Sequence, residues 1–262
     1  MRGFLTISFD DGLSSVYTLA YPEMERIGAT GTVFVISDLI GKEYSGYSVM
    51  AKRMLESLSS KGWEIGSHTR THQNLTMLSN AELLSELRES KKTLQRLLAC
   101  NIRSLAYPFG ACDAKVRGLA SRYYEFARTV SCYPPLKINR NPPADRHQLS
   151  AISTYGHPFS LPLNLINEFV YSKVAGFGPQ KRSGVTNRIG LSSNRQVIDA
   201  RFVRRWVRNL RRDQWLILCF HDVSVGKKSP TYSISINQFR EIMKAISNGP
   251  TIINLRDATG SF

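Results

Sequence analysis

The chain has 262 residues, 42% hydrophobic and 21% charged, with 18 Gly and 11 Pro; that is a globular composition for one or two domains, and it excludes disorder as the main state. Its 35 Lys and Arg against 20 Asp and Glu give +15, a balance that favours an anionic partner such as nucleic acid, acidic lipid headgroups or a phosphorylated substrate. The longest strongly apolar run, Trp215 to Phe220, falls far short of the roughly 20 residues that cross a bilayer as a helix, so an integral membrane protein is not expected.

Met1-Arg2 leads straight into Phe4-Leu5-Thr6-Ile7-Ser8-Phe9, with no room for a basic segment, an apolar segment and a cleavage site. The four cysteines, Cys100, Cys112, Cys132 and Cys219, form no Cys-x-x-Cys pair, so reduced thiols and a cytoplasmic address are expected. Strands and helices then alternate along the chain. Phe4 to Phe9 and Thr32 to Ile36 are rich in β-branched and aromatic residues and flank a helical stretch from Ser14 to Ile27, one βαβ unit. A helix over Val49 to Ser60 precedes a strand from Trp63 to Ser67. Ser79 opens a capping box with Glu82, followed by Leu83, Leu84, Leu87, Leu94, Leu97 and Leu98 at helical spacing. Further strands are expected at Ser104 to Tyr107, Phe126 to Val130, Leu149 to Ser153, Trp215 to Phe220 and Thr251 to Asn254, with helices at Ala114 to Arg122 and Ile236 to Ser247. Seven or eight such strands point to a (β/α) barrel rather than an open sheet. Residues 1–262 are read as a single domain, with long loops or insertions near 133–147 and 157–195, where Pro clusters or periodicity fails.

Four strand ends carry chemistry. Phe9-Asp10-Asp11-Gly12 places two carboxylates after the first strand; alone, Asp-Gly is an ordinary turn. His68-Thr69-Arg70-Thr71-His72 holds two of five histidines four residues apart, a spacing at which a single helical turn would bring both imidazoles to one metal ion, although exposed polar histidines would look the same. Joined to a carboxylate from another strand end, the pair makes a two-His, one-carboxylate set with open positions. Ala106-Tyr107-Pro108-Phe109-Gly110 is by itself a strand-to-loop turn. The strand Leu216-Ile217-Leu218-Cys219-Phe220 ends in His221, which beside a metal site would be a candidate general acid.

Together, in this order and at these strand ends, the four resemble the polysaccharide deacetylases of carbohydrate esterase family 4, the NodB homology domain. Ser8-Phe9-Asp10-Asp11-Gly12 differs from that family's first motif only in its first residue, and His68 to His72 keeps the His-x-x-x-His core. The resemblance implies a distorted (β/α) barrel of about seven strands, with Asp11, His68 and His72 binding a divalent metal, zinc by expectation. It implies Asp10 as general base, His221 as the acid protonating the leaving amine, and the backbone N–H of Phe109 as an oxyanion donor. Two departures stand out. The family's arginine two residues before the motif proline is Ala106 here, so another cation must hold Asp10, and Arg128 on the next strand is the candidate. The family's aspartate partner of the acid histidine has no clean counterpart, Asp145 being the nearest. The implied activity is removal of an N-acyl group, acetyl first, from an amino sugar in a glycan or a lipid- or nucleotide-linked precursor. Alternatives are hydrolysis of a cyclic imide or ureide on the same barrel, or a catalytically silent carbohydrate- or membrane-binding barrel.

Between Lys181 and Arg212 ten basic residues (Lys181, Arg182, Arg188, Arg195, Arg201, Arg204, Arg205, Arg208, Arg211, Arg212) face one acid, Asp199. Ile198, Phe202, Val203, Trp206, Val207 and Leu210 recur at helical spacing, which puts most of the arginines on the opposite face. That face is either solvated or docks on an anionic membrane surface; no nucleic-acid-binding motif accompanies the charge, which ranks nucleic acid below lipid. The expected location is cytoplasmic, peripheral to the membrane if the helix docks.

Overall fold

The computed structural model describes residues 3–131, 138–154, 199–226 and 233–257. In chain order its elements are β1 (Phe4–Phe9), a π-helical turn Val16–Ala20 running into α1 (Tyr21–Glu25), β2 (Thr32–Val35), a hairpin of β3 (Glu43–Tyr44) and β4 (Tyr47–Ser48), α2 (Lys52–Ser60) and β5 (Glu64–Ser67). There follow α3 (Asn80–Leu98), β6 (Ser104–Ala106), α4 (Ala114–Ala120), β7 (Phe126–Ser131), β8 (Asn139–Arg140) and β9 (Leu149–Ser153). The chain continues through α5 (Ala200–Asn209), β10 (Gln214–Phe220), β11 (Asp222–Ser224), β12 (Ser233–Ser235), α6 (Ile236–Ile246) and β13 (Thr251–Ile252).

Seven strands pair in the order β1-β2-β5-β6-β7-β9-β10 and close through a parallel β10–β1 ladder that runs from Phe4↔Trp215 to Phe9↔Phe220. Every ladder in this ring is parallel, and the expected seven-stranded barrel is the architecture found. β13 fits beside the first half of β1 while β2 takes the second half, so the ring is unequal around its circumference. β8, antiparallel to the start of β10, lies within the stretch near 133–147 that was expected as loop. The stretch 157–195 falls outside the described residues, as does Cys132.

The two-residue period of the strands divides the apolar residues into two sets. Phe34, Ala106, Phe126, Leu149, Ala151, Trp215, Ile217 and Cys219 fill the inside of the barrel. Leu5, Ile7, Phe9, Val33, Ile65, Leu105, Leu216, Leu218 and Phe220 pack outward with Leu83, Leu87, Val203 and Phe239 from the helices. The same alternation sets Asp10 and His221, one residue past the paired Phe9 and Phe220, at the mouth where the strands end. Helix starts follow their caps: Ser79 and Glu82 form the full capping box, each such cap being worth about 1 kcal/mol. α2 begins at Lys52, three residues later than expected, because Val49 and Met50 instead pair with Leu13 and Gly12.

Candidate active site

Asp10, Asp11, His68, Phe109, Arg128 and His221 all stand on or just beyond barrel strands, and the structure brings them together with His72 at the carboxyl-terminal mouth, where barrel sites form. Asp11 Oδ1 lies 3.6 Å from His68 Nε2 and 3.6 Å from His72 Nε2, and one ligand atom from each of the three lies within 4.8 Å of the others. The two imidazole centroids are 4.7 Å apart.

The histidines do not share a helical turn. Residues 68 to 72 form an irregular loop in which Thr69 and His72 have φ of 65° and 66°. A helical spacing satisfied by a loop needs external support, and Glu86 of α3 supplies it. Its carboxylate accepts the Arg70 and Thr71 amides, both at 2.9 Å, and the Thr71 hydroxyl at 2.7 Å. The Thr69 hydroxyl accepts the His72 amide at 3.2 Å. Among the described residues, four of the six non-glycine residues with positive φ, Asp11, Thr69, His72 and Phe109, cluster at this mouth, the pattern of strain held at a functional site.

The donor set fits a divalent ion on three counts. Asp11 Oδ1 is buried with no hydrogen-bond partner among the described residues. Burial and the neighbouring Asp10 charge push the Asp11 carboxyl up to about 8, against Arg128, so the pocket calls for a cation. Burial, with the repulsion of His68, pushes His72 down to about 3, and burial lowers His68 despite Asp10 and the Ala106 carbonyl; both rings are therefore neutral, the form that binds metal. His68 Nδ1 meets the Ala106 carbonyl oxygen at 2.8 Å and His72 Nδ1 meets the Tyr44 hydroxyl at 2.8 Å, leaving Nε2 of each ring toward Asp11.

Arg128 is fully buried, its register partner is Ala106, and its guanidinium donates to the Asp10 carboxylate. The cation missing from β6 thus comes from the adjacent strand, one position across. Its Cζ also lies 4.5 Å from the Phe34 ring centre. The second Asp10 oxygen accepts the Cys219 thiol at 3.4 Å, a contact the sequence reading missed; its signal was the two-residue spacing from His221 along an inward-facing register. Burial alone would raise Asp10, but Arg128, with His68 and His221, holds it well below the usual carboxylate range. Asp10, Cys219 and His221 offer atoms mutually within 4.8 Å. Burial pushes His221 down to about 4 against the pull of Asp10.

Phe109 sits in a tight turn at φ 59°, ψ 7°, where the flanking Gly110 and Ala111 amides are taken by Tyr107 and Pro108 carbonyls. Its ring is 61% exposed and stands 4.7 Å from that of His72. Asp145 does not reach the site. It precedes β9, at the amino-terminal end of the strand, where it pairs with Arg117 at 3.3 Å and accepts the His147 amide at 2.8 Å.

Residues 2–124 match the family model described as polysaccharide deacetylase. Among curated proteins, the chain is 30% identical over 104 residues to a putative polysaccharide deacetylase, YxkH, of Bacillus subtilis, covering 40% of this chain and 36% of that protein. It is 28% identical over 114 residues to a poly-beta-1,6-N-acetyl-D-glucosamine N-deacetylase of Staphylococcus aureus, covering 40% and 39%. The chain therefore spans less than half the length of these relatives. Among solved structures, the T48 deacetylase with substrate aligns over 98% of this chain and 90% of its own at 15% identity and TM-score 0.56. A CE4 family pseudoenzyme from Bacillus anthracis aligns over 98% and 66% at 11% identity, also with TM-score 0.56; at such identities the likeness is one of fold. The resemblance read from the motifs is borne out: through residues 2–124, the stretch that holds Asp10, Asp11, His68, His72 and Phe109, this chain is akin to the polysaccharide deacetylases.

Proposed function

We propose that the protein is a metal-dependent hydrolase that removes an N-acyl group, acetyl first, from an amino sugar in a glycan or a glycan precursor. The observation that carries this is the joint placement, at one barrel mouth, of an Asp11–His68–His72 ligand set, an ionised Asp10 held by Arg128, and His221. A binding module has no use for a base and an acid flanking a ligand set. Asp11, His68 and His72 would hold a divalent ion, zinc in this reading, which would polarise the amide carbonyl and acidify water beside it.

The chain's own residues then divide the proton work. Asp10, kept ionised by Arg128, accepts a proton from the attacking water. The carbon–nitrogen bond breaks as His221 delivers a proton to the departing nitrogen, giving acetate and a free amine. Because burial keeps His221 neutral at rest, the proton that Asp10 takes from the water is the one passed on to His221, whose ring offers an atom within 4.8 Å, and from there to the nitrogen, which leaves both groups as they began. The Phe109 ring packs on that of His72, and in this reading the Phe109 backbone N–H would be the oxyanion donor.

The substrate class follows the relatives named for N-acetylated polysaccharide. A cytoplasmic location, with peripheral membrane contact through α5, rests on the sequence and on that helix's charge. The test is acetate release from a panel of N-acetylated glycans and lipid-linked sugars, with and without zinc, in parallel with elemental analysis. Wild type should release acetate in a zinc-dependent way and hold about one ion per chain, and His72→Ala should lose most of both. Zinc binding without acetate release from any substrate would leave a silent barrel instead.

A further inference from the structure

We infer that Tyr44 is a positioning residue of the metal centre, and that the short hairpin carrying it is a working part of that centre rather than a surface loop. The inference rests on the metal-site reading above. A histidine that presents Nε2 to a metal must carry its proton on Nδ1, and whatever accepts that proton fixes both tautomer and ring angle. For His68 the acceptor is the Ala106 carbonyl, part of the barrel wall. For His72 it is the Tyr44 hydroxyl at 2.8 Å, with the two rings packed edge to face at 5.4 Å and 68°.

His72 has the greater need of such a hold. It sits in a loop rather than on a strand, at a left-handed φ of 66°, and its ring otherwise meets His68, itself a candidate ligand, and the exposed Phe109. The hairpin is built to be stiff. Ser45 and Gly46 have φ of 51° and 83°, the paired positive values of the tight turn whose twist suits a two-stranded ribbon. Its base is fastened by Val49 N–H to the Lys42 carbonyl at 2.8 Å and by Gly41 N–H to the Met50 carbonyl at 3.1 Å. Met50 N–H in turn donates to the Gly12 carbonyl at 2.8 Å, one residue beyond Asp11. One hairpin therefore grips the backbone of the turn that presents Asp11 and the side chain of His72, two ligands that are 61 residues apart in the chain.

The decisive variant is Tyr44→Phe, which keeps the ring contact and removes the acceptor. Zinc affinity, read by competition with a chromophoric chelator, should fall about 10- to 100-fold, the range for losing an outer partner of a ligating histidine. The visible spectrum of the cobalt-loaded protein should change in position or intensity, while thermal unfolding of the metal-free protein stays within a degree or two. Tyr47→Phe, on the same hairpin but removing a hydroxyl that makes no hydrogen bond among the described residues, should leave zinc affinity unchanged. Tyr44→Phe affinity within twofold of wild type, while His72→Ala loses zinc, overturns the inference and spares the metal site. An equal loss in Tyr47→Phe overturns it as well, since the effect is then general loosening. Full zinc retention in His72→Ala removes the metal-site reading and the inference with it.

Discussion

Ala106 and Arg128 face each other across β6 and β7, and that pairing explains how a site can lose a charged residue at one position without losing the charge. In a parallel ladder the side chains of register partners stand side by side on one face, so a guanidinium moved one strand over can still reach the same carboxylate. Arg128 is fully buried against Phe34, so the pair with Asp10 is a buried ion pair. Removing one partner of such a pair typically costs about 3–5 kcal/mol, because the other charge is left unpaired. Arg128→Ala should therefore lower unfolding stability by that order, and a double variant with Asp10→Asn should recover part of it. Turnover in the folded Arg128→Ala protein should fall by about 10² to 10⁴, while zinc content stays near wild type. A variant with wild-type turnover, its fold verified, would sink the assignment of Arg128 as the group that orients Asp10.

At the scale of elements, α5 presents two unlike surfaces. Val203 and Val207 are buried against the barrel's outer shell, whereas Arg201, Arg204, Arg205 and Arg208 are exposed. Arg201 pairs with Asp199, but Arg205 and Arg208 have no salt bridge among the described residues. Phe202 is 37% exposed and packs edge to face on Trp206 at 5.8 Å. Half-exposed aromatics between arginines suit an anionic interface better than bulk water. Binding to vesicles should rise with the fraction of anionic lipid, fall with salt over the range where the Debye length drops below about 10 Å, and weaken in Arg204→Gln/Arg205→Gln/Arg208→Gln. Equal binding to neutral and anionic vesicles would leave the arginines merely solvated. Elements also show what the sequence makes legible. Strands β1, β2, β7 and β10 could be read because they are rich in β-branched or aromatic residues, and α3 because Ser79, Glu82 and its leucines agree. The hairpin around Tyr44 could not: its strands are two residues each and polar, and only Ser45-Gly46 hinted at a turn. The His68 to His72 spacing suggested a helical turn because the support that permits another conformation, Glu86, comes from a helix packed nearby in space. β11 and β12 pair across a gap in sequence, which no local pattern encodes.

On the scale of the whole molecule the barrel has two polar ends with different tasks. The mouth gathers the groups proposed for chemistry, and the opposite end is closed by Glu64, the first residue of β5, which is 2% exposed. Its carboxyl accepts the Ser104 hydroxyl at 2.6 Å, the Thr32 hydroxyl at 3.1 Å and the Arg256 amide at 2.8 Å, tying β6, β2 and the segment after β13 to β5. This floor holds the unequal ring together where β13 is inserted beside β1. Burial raises the Glu64 pKa above its ordinary 4.5 in spite of those three donors. The folded state therefore binds more protons than the unfolded chain over the window that opens near 4.5 and runs up to the raised value, and in that window unfolding free energy falls as pH rises. Glu64→Gln keeps the shape and removes the titration, at the cost of one mismatched hydrogen bond. The variant should accordingly lose most, relative to wild type, at the acid end of the window and gain ground steadily as pH increases. Urea unfolding of metal-free wild type and variant at successive pH values measures this difference directly. Parallel stability curves would show that Glu64 titrates in the folded protein as it does in the unfolded chain, and that its three donors fully offset its burial.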